Sequence, residues 1–281
     1  MQTLSPRMLT LTDHEVAYVD SDPDATGNTP LVLLHGGAVN HRMWGPQLAA
    51  FSQRRLLAPD ARGHGASSDA TAPYRLCDDV VGLLDALGIG QAVLVGISMG
   101  GGTAVDVALE HPDRVAGLVV GGTGSSEPEF TEPWTLETFA AWARAEENAD
   151  AEAWIEVFMR FVPGPRRTVD DVEPGVMDLI ESMARETLTH VSIDAAGVVR
   201  PPVRPIPVRR TWERLPDLAV PVLAVGGAFD GQDNKAMGRR LAASAPGGQY
   251  LEFPRAGHYP NLECPAEFNA EVQRFLADHR L

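Results

Sequence analysis

The sequence predicts an α/β fold: a mostly parallel sheet with helices on both faces and a helical unit inserted into it. Short apolar runs at residues 31–34 and 92–95, with a further strand at 115–120, are what parallel strands buried on both sides require. These runs alternate with segments of helical period, the signature of βαβ units. Between residues 125 and 210 the alternation stops, and that break predicts the insertion.

Element by element, residues 16–20, 31–34 and 56–60 read as strands, and 77–87 as a helix stopped by Gly88. The strand at 92–95 feeds Gly96-Ile97-Ser98-Met99-Gly100. Residues 102–109 form the helix beyond it, closed at His111-Pro112-Asp113. A strand at 115–120 ends in Gly121-Gly122. Inside the insertion, proline-punctuated helices are expected at 134–144, 151–161 and 176–191, with no strand. Their apolar faces form a core of their own and, with part of the same surface, the wall of an apolar pocket. Trp134, Trp142, Trp154 and Phe158 are the candidate lining residues, together with Ala38. The proline-rich run at 200–207 has too few free backbone donors for a helix or central strand and reads as an extended connector. A strand at 220–225, a helix at 235–243, a strand at 249–253 and an amphipathic helix at 265–276 complete the chain. The expected division is a core of residues 1–124 and 211–281 and a helical cap of residues 125–210.

Composition narrows the function classes. A formal charge of −15 argues against nucleic acid or an anionic membrane surface as partner and leaves a small-molecule substrate. No apolar run approaches the roughly 18–20 residues of a bilayer span. The first thirty residues are acidic and lack a basic region followed by an apolar stretch, so no secretory signal is read and cytoplasmic residence is expected. Cys77 and Cys264 are too few for a disulfide framework and lack metal-ligand spacing. Oligomeric state is left open.

Ser98 is the candidate nucleophile. A strand reversing sharply into a helix strains the turn residue, small residues two positions either side let the chains pass, and the following helix brings backbone amides to the turn. A serine hydroxyl needs a base, and the base a partner that fixes its tautomer. Asp230 lies just past the strand at 220–225 and His258 just past the strand at 249–253. Both therefore project from the carboxyl edge of the sheet, in the order Ser, Asp, His. Asp233, three residues further along the same loop, is the fallback acid. His14, His111, His190 and His279 fall in surface, helix-end or cap contexts and His41 starts a helix; all are expected to be structural or solvated. His35 and His64 sit in glycine turns and read as structural. Oxyanion donors are expected from the amides of Met99 and Gly37, with Ala38 as second choice.

In these motifs the chain resembles the α/β-hydrolase superfamily over essentially its whole length. His35-Gly36-Gly37 looks like that family's oxyanion loop, residues 60–67 its D-x-R-G-x-G-x-S turn, and residues 96–100 its nucleophile elbow. Asp230 and His258 look like its remaining triad members. The resemblance implies an eight-stranded, mostly parallel sheet, a cap inserted after the sixth strand, and no metal or organic cofactor. No catalytic role is carried onto Arg62. Serine at position 98 argues against the epoxide hydrolases and haloalkane dehalogenases, which need a carboxylate nucleophile. What remains is a carboxylesterase or lactonase working through an acyl-enzyme. Alternatives are a carbon–carbon bond hydrolase drawing on Arg144, Arg160, Arg185 or Arg200 to bind an acidic substrate, a cofactor-free perhydrolase, or a non-catalytic small-molecule receptor.

Overall fold

A computed structural model describes residues 5–25, 27–190, 192–193, 199–200 and 202–281. Strands without polar residues demand cover on both faces, and the sheet is built around them. The first half of the core comprises β1 (Arg7–Thr10), β2 (Glu15–Asp20), β3 (Leu31–Leu34), α1 (Gly45–Ala50), β4 (Leu56–Pro59), α2 (Leu76–Ala86), β5 (Ala92–Ile97), α3 (Met99–Glu110) and β6 (Val115–Gly121). The insertion follows, with α4 (Pro133–Glu147), α5 (Ala151–Phe161), α6 (Pro174–Thr187), β7 (Ser192–Ile193) and β8 (Val199–Arg200). The core resumes with α7 (Thr211–Arg214), β9 (Val222–Gly227), α8 (Gln232–Ser244), β10 (Gln249–Phe253), α9 (Pro260–Glu263) and α10 (Pro265–His279).

Eight strands form one sheet in the order β1-β2-β4-β3-β5-β6-β9-β10. β2 runs antiparallel to β1 and β4, and the pairings from β4 through β10 are parallel. β3, β5 and β9 are buried along their whole length. One face packs against Leu83 and Leu84 of α2, Ala104 and Val105 of α3 and Leu241 of α8. The other packs against Phe268, Val272 and Phe275 of α10 and is continuous with Ile155, Phe158, Ile180 and Met183 of the insertion. The mostly parallel eight-stranded sheet with helices on both faces is thus the observed architecture. Among the described residues no helix is long and apolar enough to cross a membrane.

The structure corrects several expectations. β7 and β8 pair antiparallel within the insertion, where no strand was expected; two-residue strands are too short to leave a period. β1 was also missed, because a solvated edge strand shows no apolar run. The helix after Ser98 begins at Met99 rather than residue 102, tolerating Gly100 and Gly101 because a Cβ on either meets neighbouring backbone. The third helix of the insertion ends at Thr187, and residue 191 of its expected span lies outside the described residues, as does Pro201 of the connector. Residues 202–207 are free of regular structure as expected, with Ile206 donating to the Tyr74 carbonyl. Cys77 and Cys264 are buried free thiols.

Candidate active site

β5 delivers Ser98 into a sparsely populated positive-φ conformation, φ +56° and ψ −119°, which costs a non-glycine residue on the order of 1–3 kcal/mol. The turn is tight enough that a Cβ at Gly96 would strike the Gly100 carbonyl and one at Gly100 the Leu34 carbonyl. Ser98 N donates to Gly121 O at 2.8 Å, tying the turn to β6. Ser98, Met99 and Gly37 are half-buried, whereas Gly36, Gly100, Gly122 and His258 beside them are buried.

Past β9, Asp230 is buried and accepts from Gly231 N at 2.7 Å and Asn234 Nδ2 at 2.9 Å through Oδ1. Its Oδ2 lies 3.1 Å from His258 Nδ1, with both side chains almost fully enclosed. Burial pushes the Asp230 carboxyl up, but the His258 charge and the hydrogen bonds from His258, Asn234 and Gly231 outweigh it and hold it below the ordinary carboxylate value. A carboxylate on Nδ1 makes that nitrogen the donor and leaves Nε2 with a lone pair. Nε2 is buried and has no hydrogen-bond partner among the described residues, so no Ser98–His258 hydrogen bond is formed. Such bonds in unliganded sites are often long and tighten with substrate. The two residues are nonetheless neighbours across Gly122: a Cβ there would lie 3.0 Å from Ser98 Cα and 3.5 Å from His258 Cε1.

Asp233, the fallback acid, does something else. It accepts from the backbone of Thr131 and Glu132, each at 2.8 Å, and from the Thr131 hydroxyl at 3.0 Å, anchoring the start of α4.

The amides of Gly37 and Ala38 have different surroundings. Ala38, at φ +64°, gives its N–H to His64 Nε2 at 3.3 Å and is therefore not free to bind an oxyanion, which corrects its standing as second choice. The Gly37 and Met99 amides make no hydrogen bond among the described residues. His35 Nδ1 donates to Gly36 O at 2.7 Å. That carbonyl shares a rigid peptide plane with Gly37 N–H, so pinning one fixes the direction of the other. His35 Nε2 accepts from Ala61 N at 2.9 Å, and His64 Nδ1 donates to Arg62 O at 3.0 Å. Both rings must then be neutral. Burial is the largest cause that lowers His64, to about 3, and burial likewise lowers His35 against the pull of Asp60. The two histidines are structural, as expected.

Of the other histidines, His41 pairs with buried Asp60 at 2.9 Å and His190 binds Asp69 and the Gly65 carbonyl. His14, expected in a surface or helix-end context, is buried beside Asp13. Arg62 holds Asp13 and Asp79.

Phe161, at the end of α5, places its ring 4.7 Å from that of His258, edge on, and stacks on Trp134 at 5.8 Å. Phe139 and Trp142 continue this cluster. Trp154 and Phe158 pack behind Trp142 in the buried core of the insertion; they share the apolar stripe of α5 with Phe161 but lie two turns and one turn nearer its N-terminus. Phe161 and Asn234 are thus site residues that sequence reasoning did not single out. Asn234 follows Asp230 by four residues, the one local sign available.

Arg144 and Arg160 are exposed, and Arg185 is spent on Glu152 and Glu181 at the surface. The side chain of Arg200 lies outside the described residues.

A strained serine at a sheet edge, beside a buried carboxylate–imidazole pair and two free amides, defines a class of site seen in hydrolytic α/β proteins. The family model described as "alpha/beta hydrolase fold" matches residues 29–265, and the chain belongs to that family. It is 30% identical over 271 residues to 3-oxoadipate enol-lactonase 2 of Acinetobacter baylyi, covering 95% of this chain and 96% of that protein. It is also 30% identical over 277 residues to a 2-hydroxy-6-oxononadienedioate/2-hydroxy-6-oxononatrienedioate hydrolase of Burkholderia vietnamiensis, covering 94% and 92%. Among solved structures it is similar to the enol-lactonase of Burkholderia xenovorans, with a TM-score of 0.73 at 26% identity over 96% of this chain and 100% of that one.

Proposed function

We propose that this protein is a serine hydrolase that cleaves a carboxylic ester or lactone of a small, largely apolar substrate through an acyl-enzyme. The observation that carries this reading is the buried Asp230–His258 pair, 3.1 Å apart, ending in an unpartnered Nε2 beside the strained Ser98. In this reading His258 Nε2 removes the Ser98 proton as Oγ attacks the carbonyl. The Gly37 and Met99 amides bind the oxyanion, helped by the positive end of α3. The imidazolium, steadied by Asp230, protonates the departing alkoxide. Water, deprotonated by the same nitrogen, then releases the acid.

An apolar acyl group is supported by the aromatic wall of Phe161, Trp134, Phe139 and Trp142 next to the base. The likeness to enol-lactonases supports a lactone as readily as an open ester. An equally similar carbon–carbon hydrolase keeps that chemistry as the second reading. Against it, the arginines that reach the acid and base loops are engaged: Arg166 with the Ala228 carbonyl, Arg167 with Glu263.

The test runs p-nitrophenyl esters and simple lactones beside a vinylogous diketone acid on purified protein, with fluorophosphonate labelling of Ser98. Turnover of an ester or lactone and labelling abolished by S98A are expected. Cleavage of the diketone alone transfers the assignment to the second reading, and an inert Ser98 in folded protein rejects both.

A further inference from the structure

Three loops meet beneath the imidazole of His258: the exit of α5, the loop carrying Asp230 and the loop carrying His258 itself. Arg167 touches all three. Its Nε donates to Pro163 O at 3.1 Å, its Nη1 to Arg255 O at 3.2 Å and its Nη2 to Glu263 Oε2 at 2.8 Å. The guanidinium lies 4.6 Å over the ring of Phe229, the residue before Asp230. The other Glu263 oxygen accepts from Gly257 N at 2.7 Å, one residue before His258. The backbone N–H of His258 donates across to Val162 O of the insertion at 3.1 Å. No side chain fits between these parts: a Cβ on Gly257 would lie 2.5 Å from Arg167 Nη2, and one on Gly164 would strike the Phe229 carbonyl.

Both charged side chains are nearly sealed, at 8% exposed for Arg167 and 5% for Glu263. A buried ion pair is a poor source of net stability, because desolvation offsets most of the attraction. What this pair does deliver is position: one planar cation and one carboxylate hold the peptide before His258, the ring before Asp230 and the end of α5 in a single arrangement. We infer that Arg167 and Glu263 are positioning residues for the base. They make the seated insertion part of the catalytic framework, with the imidazole in register only while the α5 exit is docked. This rests on the Ser98–Asp230–His258 reading above.

R167M, E263Q, the double variant R167M/E263Q and R167K test it. For each, the rate of fluorophosphonate labelling, kcat and KM on an ester the wild type turns over, and the low-field proton resonance of His258 Nδ1–H are measured well below the variant's own Tm. R167M is expected to lose on the order of 100-fold in labelling and kcat, the cost of displacing a reacting group by about 1 Å, with KM little changed and the resonance broadened. The double variant should be no slower than R167M, since the two residues act as one unit. R167K keeps the ion pair but not the bonds to Pro163 and Arg255; it answers the question even where the methionine variant fails to fold, and a roughly tenfold loss is expected. Variants that fold with a lowered Tm but label at the wild-type rate, resonance intact, overturn the inference and leave a purely structural pair. Failure of the wild type to label instead rejects the proposed function, while the resonance still reports whether the pair positions the imidazole.

Discussion

Asp230→Asn and Asp233→Asn, three residues apart, separate catalysis from anchoring. In Asp230→Asn the side chain keeps its shape but becomes an amide facing three donors. Two of them, Gly231 N–H and Asn234 Nδ2, converge on Oδ1 at 2.7 and 2.9 Å, so the amide oxygen takes that position. The new NH2 is then turned toward His258 Nδ1, where the carboxylate oxygen stood at 3.1 Å. To accept from it, the ring must move its proton to Nε2, the atom that has to receive the Ser98 proton. In serine triads this tautomer error costs about 10,000-fold in kcat, which corresponds to about 5 kcal/mol of barrier. Stopped-flow or steady-state ester hydrolysis measures it directly. Folded Asp230 also titrates below its unfolded value, so its ionised form stabilises the protein at neutral pH. That contribution is lost as pH falls below the ordinary carboxylate range toward the depressed folded value, and the variant should lack this part of the acid-induced loss. Asp233→Asn removes a charged acceptor from two backbone donors. It should cost about 1–2 kcal/mol of stability and leave kcat close to wild type. The opposite pattern, with Asp233→Asn inactive and Asp230→Asn losing less than about tenfold, refutes the assignment.

Three further outcomes are expected. In Gly36→Ala the new Cβ would lie 3.1 Å from Tyr259 Oη and 3.2 Å from its Cε1; the fully buried ring must give way by a few tenths of an ångström, so overpacking of about 1–3 kcal/mol and a kcat loss on the order of 100-fold are expected. Gly37→Ala meets nothing within 4 Å and should melt near the wild type, so equal Tm values for the two variants would contradict the loop geometry. Between pH 6.5 and about 3 the unfolded chain binds a proton that folded His64 refuses, so stability should fall with pH through that window; urea titrations of His64→Gln should show a shallower slope, and an unchanged slope counts against a neutral His64. Phe161→Leu removes the ring beside His258 and Trp134 and should raise KM for arylalkanoyl esters by roughly three- to tenfold relative to acetyl esters of the same alcohol; an equal effect on both excludes Phe161 from the acyl wall.

Much of this molecule is written in local pattern. Continuous apolar runs can be buried only in a sheet covered on both sides, which is why β3, β5, β6 and β9 were legible. A serine flanked by glycines between strand and helix has few alternative conformations, so its strained turn was legible too. Edge strand β1 and the two-residue β7 and β8 left no period to read. Other features exist only once distant segments meet. Nothing near Asp233 in the chain shows that it anchors α4, and nothing near Ala38 shows that His64 takes its N–H; both depend on partners brought in from the insertion or from another turn. The same holds for Phe161, chosen over Trp154 and Phe158 because its end of α5 reaches the base, and for Arg167, ninety-one residues from His258 in the chain. Periodicity and turn chemistry act over a few residues, so sequence alone determined the sheet, its order of motifs and the kinds of group at its edge. Hydrogen-bond partnership and burial are settled by three-dimensional proximity, so only the tertiary structure decided which acid meets the imidazole, which amides stay free and which ring of the insertion lies beside His258.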